Sequence, residues 1–491
     1  MADSDADDAK LLARLGYAQE LVRCLGGFSN FAISLSIICI LAGGITSFHV
    51  GFDSVGGASI GIGWPLVSLF ALAVAATMGQ LASAFPTAGG LYHWAAILGG
   101  RGAGWATAWF NLLGLITVLA AINVGMVRFV AGAFLADPLD LQTQAIAVTL
   151  VTLSQAFINH RGIEWTRRLT DFSGWWILGI SILLVIVLLA SISGWDFSRL
   201  ITFTNFSGLP KKEGVDPTWE PVESMIWLFA LGFLLPAYTI TGFDASAHVS
   251  EETHDAPHLV PRGILRSVAV SGLFGWILLS AIVLAIPDMK SAAEEGDGVF
   301  YYVLKERLPS GLARGLFVAI AFAQYLCGLA TVTSTSRVAF AFARDGGMPF
   351  SNRLRKVSPR HRSPVLAIWV VSLSSILFTI YTPVYATITA VCTVFLYISY
   401  VLPTAIGAWN FSQWKSQVGP WNLGHWYRPL SLISVLGCVG LIVIGMQPPN
   451  DRAVVVVGGM AVLLTAVWYG YARKHFPGPP IIHFQEKIRN G

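Results

Sequence analysis

Runs of about twenty apolar residues recur along the whole of this chain, and nothing else in it constrains the fold so strongly. A hydrocarbon layer offers backbone N–H and C=O groups no partner, so a chain that enters it must close its own hydrogen bonds as helices. The runs extend from Gly26 to Val50, Trp64 to Phe85, Trp105 to Val127, Gln144 to Ile158 (the shortest), Trp175 to Ile192, Ser224 to about His248, Val268 to Ile286, Leu316 to Phe342, Val365 to Ile380, Val384 to Ile406, Leu430 to Met446 and Ala453 to Tyr469. That pattern predicts an all-α integral membrane protein of about twelve spans. Composition agrees. Only 12% of the 491 residues are charged and 55% are hydrophobic, whereas soluble domains carry about 25% charged residues.

Lys and Arg set the expected orientation. With the N-terminus inside, the cytoplasmic side receives Arg14, Arg23, Arg101, Arg161, Arg167, Arg168, Arg262 and Arg266. It also receives the cluster Arg344, Arg353, Arg355, Lys356, Arg360 and Arg362, and the C-terminal Arg473, Lys474, Lys487 and Arg489. Both termini are therefore expected in the cytoplasm of a cell-membrane protein. Residues 1–10 are acidic and polar and read as a disordered tail, not a signal peptide. Ala9 to Cys24 has a partial apolar face suited to the membrane surface or to a plain helical lead-in. The gap containing Lys211, Lys212, Glu213 and Asp216 falls outside. The five cysteines form no CxxC pair and read as core residues. No basic run is interleaved with aromatics, which leaves nucleic-acid binding without support. Neither HExxH nor GxSxG occurs, so an intramembrane enzyme lacks its groups. A passive channel is a further alternative, distinguished by conduction that does not saturate.

Two spans carry backbone trouble at mid-depth. In the first, Gly43 and Gly44 interrupt Leu41–Thr46, at a cost of roughly 2 kcal/mol in helix propensity. In the sixth, Pro236, Tyr238, Thr239, Thr241, Gly242, Phe243 and Asp244 crowd together, and a buried acid in a span needs a partner or water. The two interruptions are five spans apart, the offset expected of two inverted five-span repeats, and matched breaks mark a solute site. Freed N–H groups suit a carboxylate, and freed carbonyls suit an ammonium or a metal cation. Close packing of small residues is the alternative for the glycine pair.

Motifs then add a family. Met78 to Tyr92 contains Ser83-Ala84-Phe85-Pro86-Thr87-Ala88-Gly89-Gly90-Leu91-Tyr92. Thr241-Gly242-Phe243-Asp244-Ala245 is followed by His248, Ser250-Glu251-Glu252 and Pro261-Arg262-Gly263-Ile264. Thr335-Ser336-Arg337 leads to Ala341 through Pro349. In order and spacing these resemble the amino acid–polyamine–organocation (APC) superfamily permeases, most closely the amino acid/choline branch with its GABA permeases. The resemblance implies a leucine-transporter-like 5+5 inverted repeat plus two C-terminal helices. The corresponding domains are 1–25 (tail and lead-in), 26–193 (first repeat), 194–222 (extracytoplasmic loop), 223–408 (second repeat), 409–475 (helices 11 and 12) and 476–491 (cytoplasmic tail).

It further implies a secondary active transporter of amino acids or GABA-like zwitterions working by alternating access, or alternatively a choline or polyamine permease. Substrate contacts fall on Ala42, Gly43, Gly44, Ile45, Tyr238, Thr241, Gly242, Phe243 and Asn111. Tyr238, Asp244 and Glu251 become gating or proton-linked residues. No cofactor is expected beyond a coupling H+ or Na+. Thr331, Ser334 and Thr335 share one helix face and form a candidate sodium site, against the alternative that they bond their own backbone. Gln80 departs from the usual Glu of the family, and the fifth span has no lysine to replace an ion.

Several side chains have two readings. Asn111, Thr117 and Asn123 either face a central cavity or join helices. Thr387, Thr389, Thr393 and Tyr397 are candidate pathway residues, and Phe229, Tyr238 and Phe243 are candidate aromatic walls for a quaternary ammonium. His248, Glu251 and Glu252 read as a solvated or salt-bridged cytoplasmic gate, not a metal site. His93 reads as a snorkelling side chain, and Trp94, Trp105 and Trp109 as an interfacial belt.

Overall fold

The computed structural model describes residues 2–135, 138–211, 217–381, 385–448 and 450–480. Lys212, Glu213, Asp216, Val384, Lys487 and Arg489 of the sequence reading lie outside these residues. Twelve apolar helical segments appear among the described residues. Ten are long enough to cross a membrane, and Met225–Thr239 and Val365–Tyr381 are shorter.

The spans run longer than hydropathy suggests because polar residues cap and extend them. The fourth, Leu141–His160, is a full 20 residues, not the short run expected. Asp140 starts it by accepting the N–H groups of Gln142 and Thr143, a cap that hydropathy does not register. The third, Arg101–Phe134, and the eighth, Ser310–Arg344, span 34 and 35 residues, which at about 1.5 Å per residue exceeds a bilayer's apolar thickness. Large apolar side chains face outward from the bundle, among them Leu69, Leu150, Leu377 and Val455. Such a surface suits lipid and not water.

The interior is built on close approach. The second span, Trp64–Ala84, packs against the seventh, Ala256–Ala285. Trp64 Nε1 donates to Gly272 O across that seam at 2.8 Å, and a side chain at Gly275 would meet the Trp64 ring. The third span packs against the tenth, Tyr385–Trp409, and against the eighth.

Two sequence expectations fail at the N-terminus. Residues Ala2–Arg14 form a helix, not a disordered tail. The segment after it does not lie on the membrane surface either: Leu12, Leu15, Tyr17 and Leu21 are buried against the bundle. Their apolar face finds protein because the loop after the sixth span offers partners. Gln19 Nε2 donates to Glu251 O at 2.8 Å, and the N–H groups of Cys24 and Leu25 both donate to Glu252 O.

Gly275→Leu is expected to pry the second and seventh spans apart, at a cost of about 3 kcal/mol for overpacking. Thermal unfolding of the purified protein in detergent should show a clear drop in melting temperature. An unchanged melting temperature would mean that this seam can relax.

Candidate functional site

The first span breaks after Gly27–Ile38. Cys39 adopts φ 25°, and helix resumes as Gly43–Thr46 and Phe48–Val55. The break itself is Cys39–Ala42. Ala42 borders it, while Gly43, Gly44 and Ile45 form the first turn of the outgoing half-helix instead of the gap. Helix entry at Gly43 is cheap because its small neighbours allow contact: a Cβ there would lie 3.0 Å from Thr239 Cα. The sixth span stops at Thr239 and resumes at Ala245–His248. Its gap, Ile240–Asp244, includes Gly242 at φ +83°, a conformation glycine tolerates best. A side chain on Gly242 would strike the Ile37 side chain, so the second break packs against the last turn of the incoming half-helix Gly27–Ile38.

Hydrogen bonds hold this arrangement. Ser34 Oγ donates to Phe243 O at 2.9 Å and accepts the Ser246 N–H at 2.9 Å. Asn30 Nδ2 donates to Ser246 O at 3.0 Å. From the eighth span, Gln324 Nε2 donates to Leu41 O at 3.1 Å and Cys327 Sγ to Ile37 O at 3.3 Å. From the tenth, the Tyr400 hydroxyl accepts the Gly242 N–H at 3.0 Å. Several donors remain unclaimed: the N–H groups of Ile40 and Leu41 in the first break, of Gly44 and Ile45 in the helical turn after it, and of Thr241, Phe243 and Asp244 in the second break find no acceptor among the described residues. Unpaired buried donors are costly, and a set of them at each of two neighbouring helix breaks suits an anionic group.

Asp244 is wholly buried and fully engaged. Its Oδ1 accepts from Tyr400 at 2.8 Å, and its Oδ2 accepts from Asn111 Nδ2 at 2.9 Å and faces His248 Nε2 at 3.0 Å. Asn111 also donates to Ser399 at 3.3 Å, and its Oδ1 has no partner. Tyr238, half-buried, lies beside Tyr385, whose hydroxyl meets Thr46 Oγ1 at 2.8 Å. Above them Arg128 sits 5.7 Å over the Tyr385 ring and pairs with Asp297 at 3.0 Å. That ion pair is exposed.

The end of the bundle that bears the N-terminus is sealed more heavily. Arg344 grips Glu251 through two bonds of 2.8 and 3.0 Å, and Arg337 grips Glu252 through two of 2.9 and 3.1 Å. Glu251 Oε1 also accepts the Ala88 N–H at 3.0 Å. Asp345 Oδ2 accepts the hydroxyls of Tyr17 and Tyr92, each at 2.7 Å, and meets His93 Nε2 at 3.0 Å. Arg344 lies 4.0 Å over the Tyr17 ring.

Glu251 and Glu252 are thus both buried and ion-paired, to Arg344 and Arg337. His93 does not snorkel: it is buried, held by Asp345 and by Thr87 Oγ1 at 2.6 Å. Trp94 and Trp105 are buried too, and Trp109 packs on Phe342, so these rings are core and not an interfacial belt. Spacing shows where a ring lies along the membrane normal but not which way it faces. Asn123 joins helices, donating to Thr152 and Gln155. Thr117, Thr389 and Thr393 bond their own helices. Phe229 packs between Phe203 and Phe233, in an aromatic row of its own. Gln80 accepts the Leu423 N–H at 2.8 Å and so anchors the loop before the eleventh span. Thr331 and Thr335 donate to Cys327 O and Thr331 O within their own helix, while Ser334 Oγ is buried without a partner.

Sequence reasoning missed Ser34, Gln324, Tyr400, Tyr17 and Asp345. Arg337, Arg344 and Asp345 sat inside a quoted motif, and charges at a span's end were the available signal.

Glu252→Gln leaves the buried Arg337 charge uncompensated, a loss of about 3–5 kcal/mol. The expected result is a markedly lower melting temperature, partly recovered when Arg337→Met is added. A near-neutral single substitution would mean that water reaches the pair.

A family model described as amino acid permease matches residues 25–469. The chain is 31% identical to the amino-acid permease BAT1 of Arabidopsis thaliana, covering 95% of each chain. It is 26% identical to a GABA-specific permease of Saccharomyces cerevisiae, over 97% of this chain and 86% of that one. It is also 26% identical to a putative polyamine transporter of Candida albicans, over 99% and 91%.

Proposed function

The chain belongs to the amino acid permease family and is a multi-pass membrane transporter, not an enzyme; from that premise we propose that it carries amino acids or GABA-like zwitterions by secondary active transport. The solute sits between the two interrupted helices. One observation carries this reading: unclaimed backbone N–H groups lie at both helix interruptions, where the half-helices approach too closely for side chains at Gly43 and Gly242. A carboxylate satisfies such donors. The carbonyls exposed by the same breaks suit its ammonium.

Gating follows from the same geometry. Tyr385, Thr46 and Tyr238 close one end, and Arg344–Glu251 and Arg337–Glu252 close the other, so alternating access opens one set at a time. The basic residues Arg353, Arg355, Lys356, Arg360 and Arg362 are exposed at the N-terminal end of the bundle, which supports placing that end in the cytoplasm.

A choline or polyamine substrate is the second reading, supported by the named polyamine relative and by Asp244 as a counter-charge. Against it, that carboxylate already has three partners. Of the coupling ions, sodium would draw on Ser334 Oγ, and a proton on the Asp244 cluster. The number of titratable partners around Asp244 favours the proton.

Counterflow in proteoliposomes with GABA, neutral amino acids, choline and putrescine tests the substrate class. Zwitterions are expected to exchange, and movement of permanent cations alone would overturn the reading. Gly43→Leu is expected to abolish uptake with normal expression, since about 3 kcal/mol of overpacking corresponds to roughly a 100-fold loss of the closed arrangement. Normal uptake by that variant would move the site elsewhere. Asp244→Asn is expected to flatten the dependence of uptake on pH, and a wild-type profile would remove Asp244 from any proton step.

A further inference from the structure

We propose that His248 is the residue that carries the coupled proton, holding it on Nδ1 against the Ala88 carbonyl while the N-terminal end of the bundle is shut. The inference rests on the transport reading above and deepens it.

The geometry begins with a ring that has one committed nitrogen and one waiting. His248 is buried, and its Nε2 lies 3.0 Å from Asp244 Oδ2. Opposite an ionised carboxylate this nitrogen carries the hydrogen. Nδ1 then presents a lone pair to Ala88 O at 3.4 Å, acceptor against acceptor. A proton on Nδ1 converts that contact into a charge-assisted hydrogen bond. The same proton places an imidazolium against the Asp244 carboxylate. The approach is enforced by the backbone: Gly90 holds φ +48°, and a Cβ there would lie 3.0 Å from His248 Nδ1.

Ala88 is the mechanical link. Its N–H donates to Glu251 Oε1 at 3.0 Å, and Glu251 is gripped by Arg344. One residue thus joins the ring to the gate through its two flanking peptide groups. Protonation of His248 tightens the loop at 86–90 onto the sixth span and favours closure of that end. Opening pulls Ala88 away, strips Nδ1 of its acceptor, and releases the proton to water on the N-terminal side. Reprotonation then comes from water admitted through the opposite end. Proton and solute accordingly move in the same direction.

The charged neighbours are otherwise committed. Tyr400 of the tenth span donates to Asp244, and Asn111 of the third is neutral. On the eighth span Arg337 serves Glu252 and Arg344 serves Glu251. In the sixth helix, Glu251 lies next to Glu252 with its charge answered by Arg344. His93 serves Asp345 and Tyr17. On the seventh span His258 serves Asp255, and Arg262 and Arg266 are exposed. The first span's Gly27–Ile38 contains no titratable side chain.

His248→Gln retains an amide that can donate to Asp244 but cannot take a proton. The full-length protein in liposomes, with pH 5.5 outside and 7.5 inside, is offered whichever zwitterion the counterflow panel identifies. The variant is expected to lose gradient-driven accumulation by about tenfold or more and to show a flat rate-against-pH profile where the wild-type rate varies. Wild-type accumulation with a wild-type profile would overturn the proposal. If the variant proves inactive in every transport assay, amide hydrogen exchange of residues 86–92 in the solute-free protein decides. After correction for intrinsic rates, that segment is expected to exchange roughly fivefold more slowly at pH 5.5 than at 7.5 in the wild type and equally in the variant. A wild-type segment indifferent to pH overturns the proposal. If no panel solute moves at all, the transport reading fails while the exchange measurement still decides for or against His248.

Discussion

A backbone that stops being helical inside a membrane must have its N–H and C=O groups answered by protein, because lipid answers none. Several of the buried polar contacts in the centre of this molecule serve that requirement. Ser34, Asn30 and Ser246 stitch the two broken helices to each other. Gln324 and Cys327 cover carbonyls of the first break from the eighth span, and Tyr400 covers a donor of the second from the tenth. The unbroken third, eighth and tenth spans thus act as the frame, and the paired half-helices are the part held within it. What is left unanswered includes N–H groups at both breaks, with Asn111 Oδ1 and Ser334 Oγ on the spans around them. Left empty, such a site is costly, and the cost is recovered only when a ligand with complementary oxygens arrives.

The spans and the existence of both breaks were legible because depth in a bilayer is written as hydropathy, and a break as Pro, Gly and an acid out of place. The exact place of the first break was not. The glycine pair marks where the chain can re-enter helix beside Thr239, and the gap lies just before it, at Cys39–Ala42, where no residue type announces it. Rotation about the helix axis was the harder loss. Asn111 and Asn123 lie twelve residues apart in one span, yet the first reaches Asp244 while the second joins Thr152 and Gln155. His93 and the tryptophans near it were misread for the same reason, since an aromatic at a span's end looks alike whether it faces lipid or a neighbouring helix. The N-terminal helix failed differently. Its composition is that of a solvated tail, and the segment after it is tied to Glu251 and Glu252 through Gln19, Cys24 and Leu25, contacts between distant parts of the chain that composition does not register.

The two ends of the bundle differ in what holds them. At one, Arg128 and Asp297 are 44% and 66% exposed, and an exposed pair is worth about 1 kcal/mol or less. The Thr46–Tyr385 contact beneath adds one hydroxyl bond. At the other, two bidentate ion pairs, a shared carboxylate with two tyrosines, and the N-terminal segment are all buried together. Simple counting would make the second end immovable. It does not, because opening admits water, and charges torn from partners in a dry interior are rehydrated as they separate. The difference between the ends is therefore one of cooperativity. On the proposed transport reading, the first end would yield a contact at a time, while the second would give way only when water reaches several pairs at once. A solute that bridges both half-helices would then move them as one body, and that shared displacement is what such a gate requires.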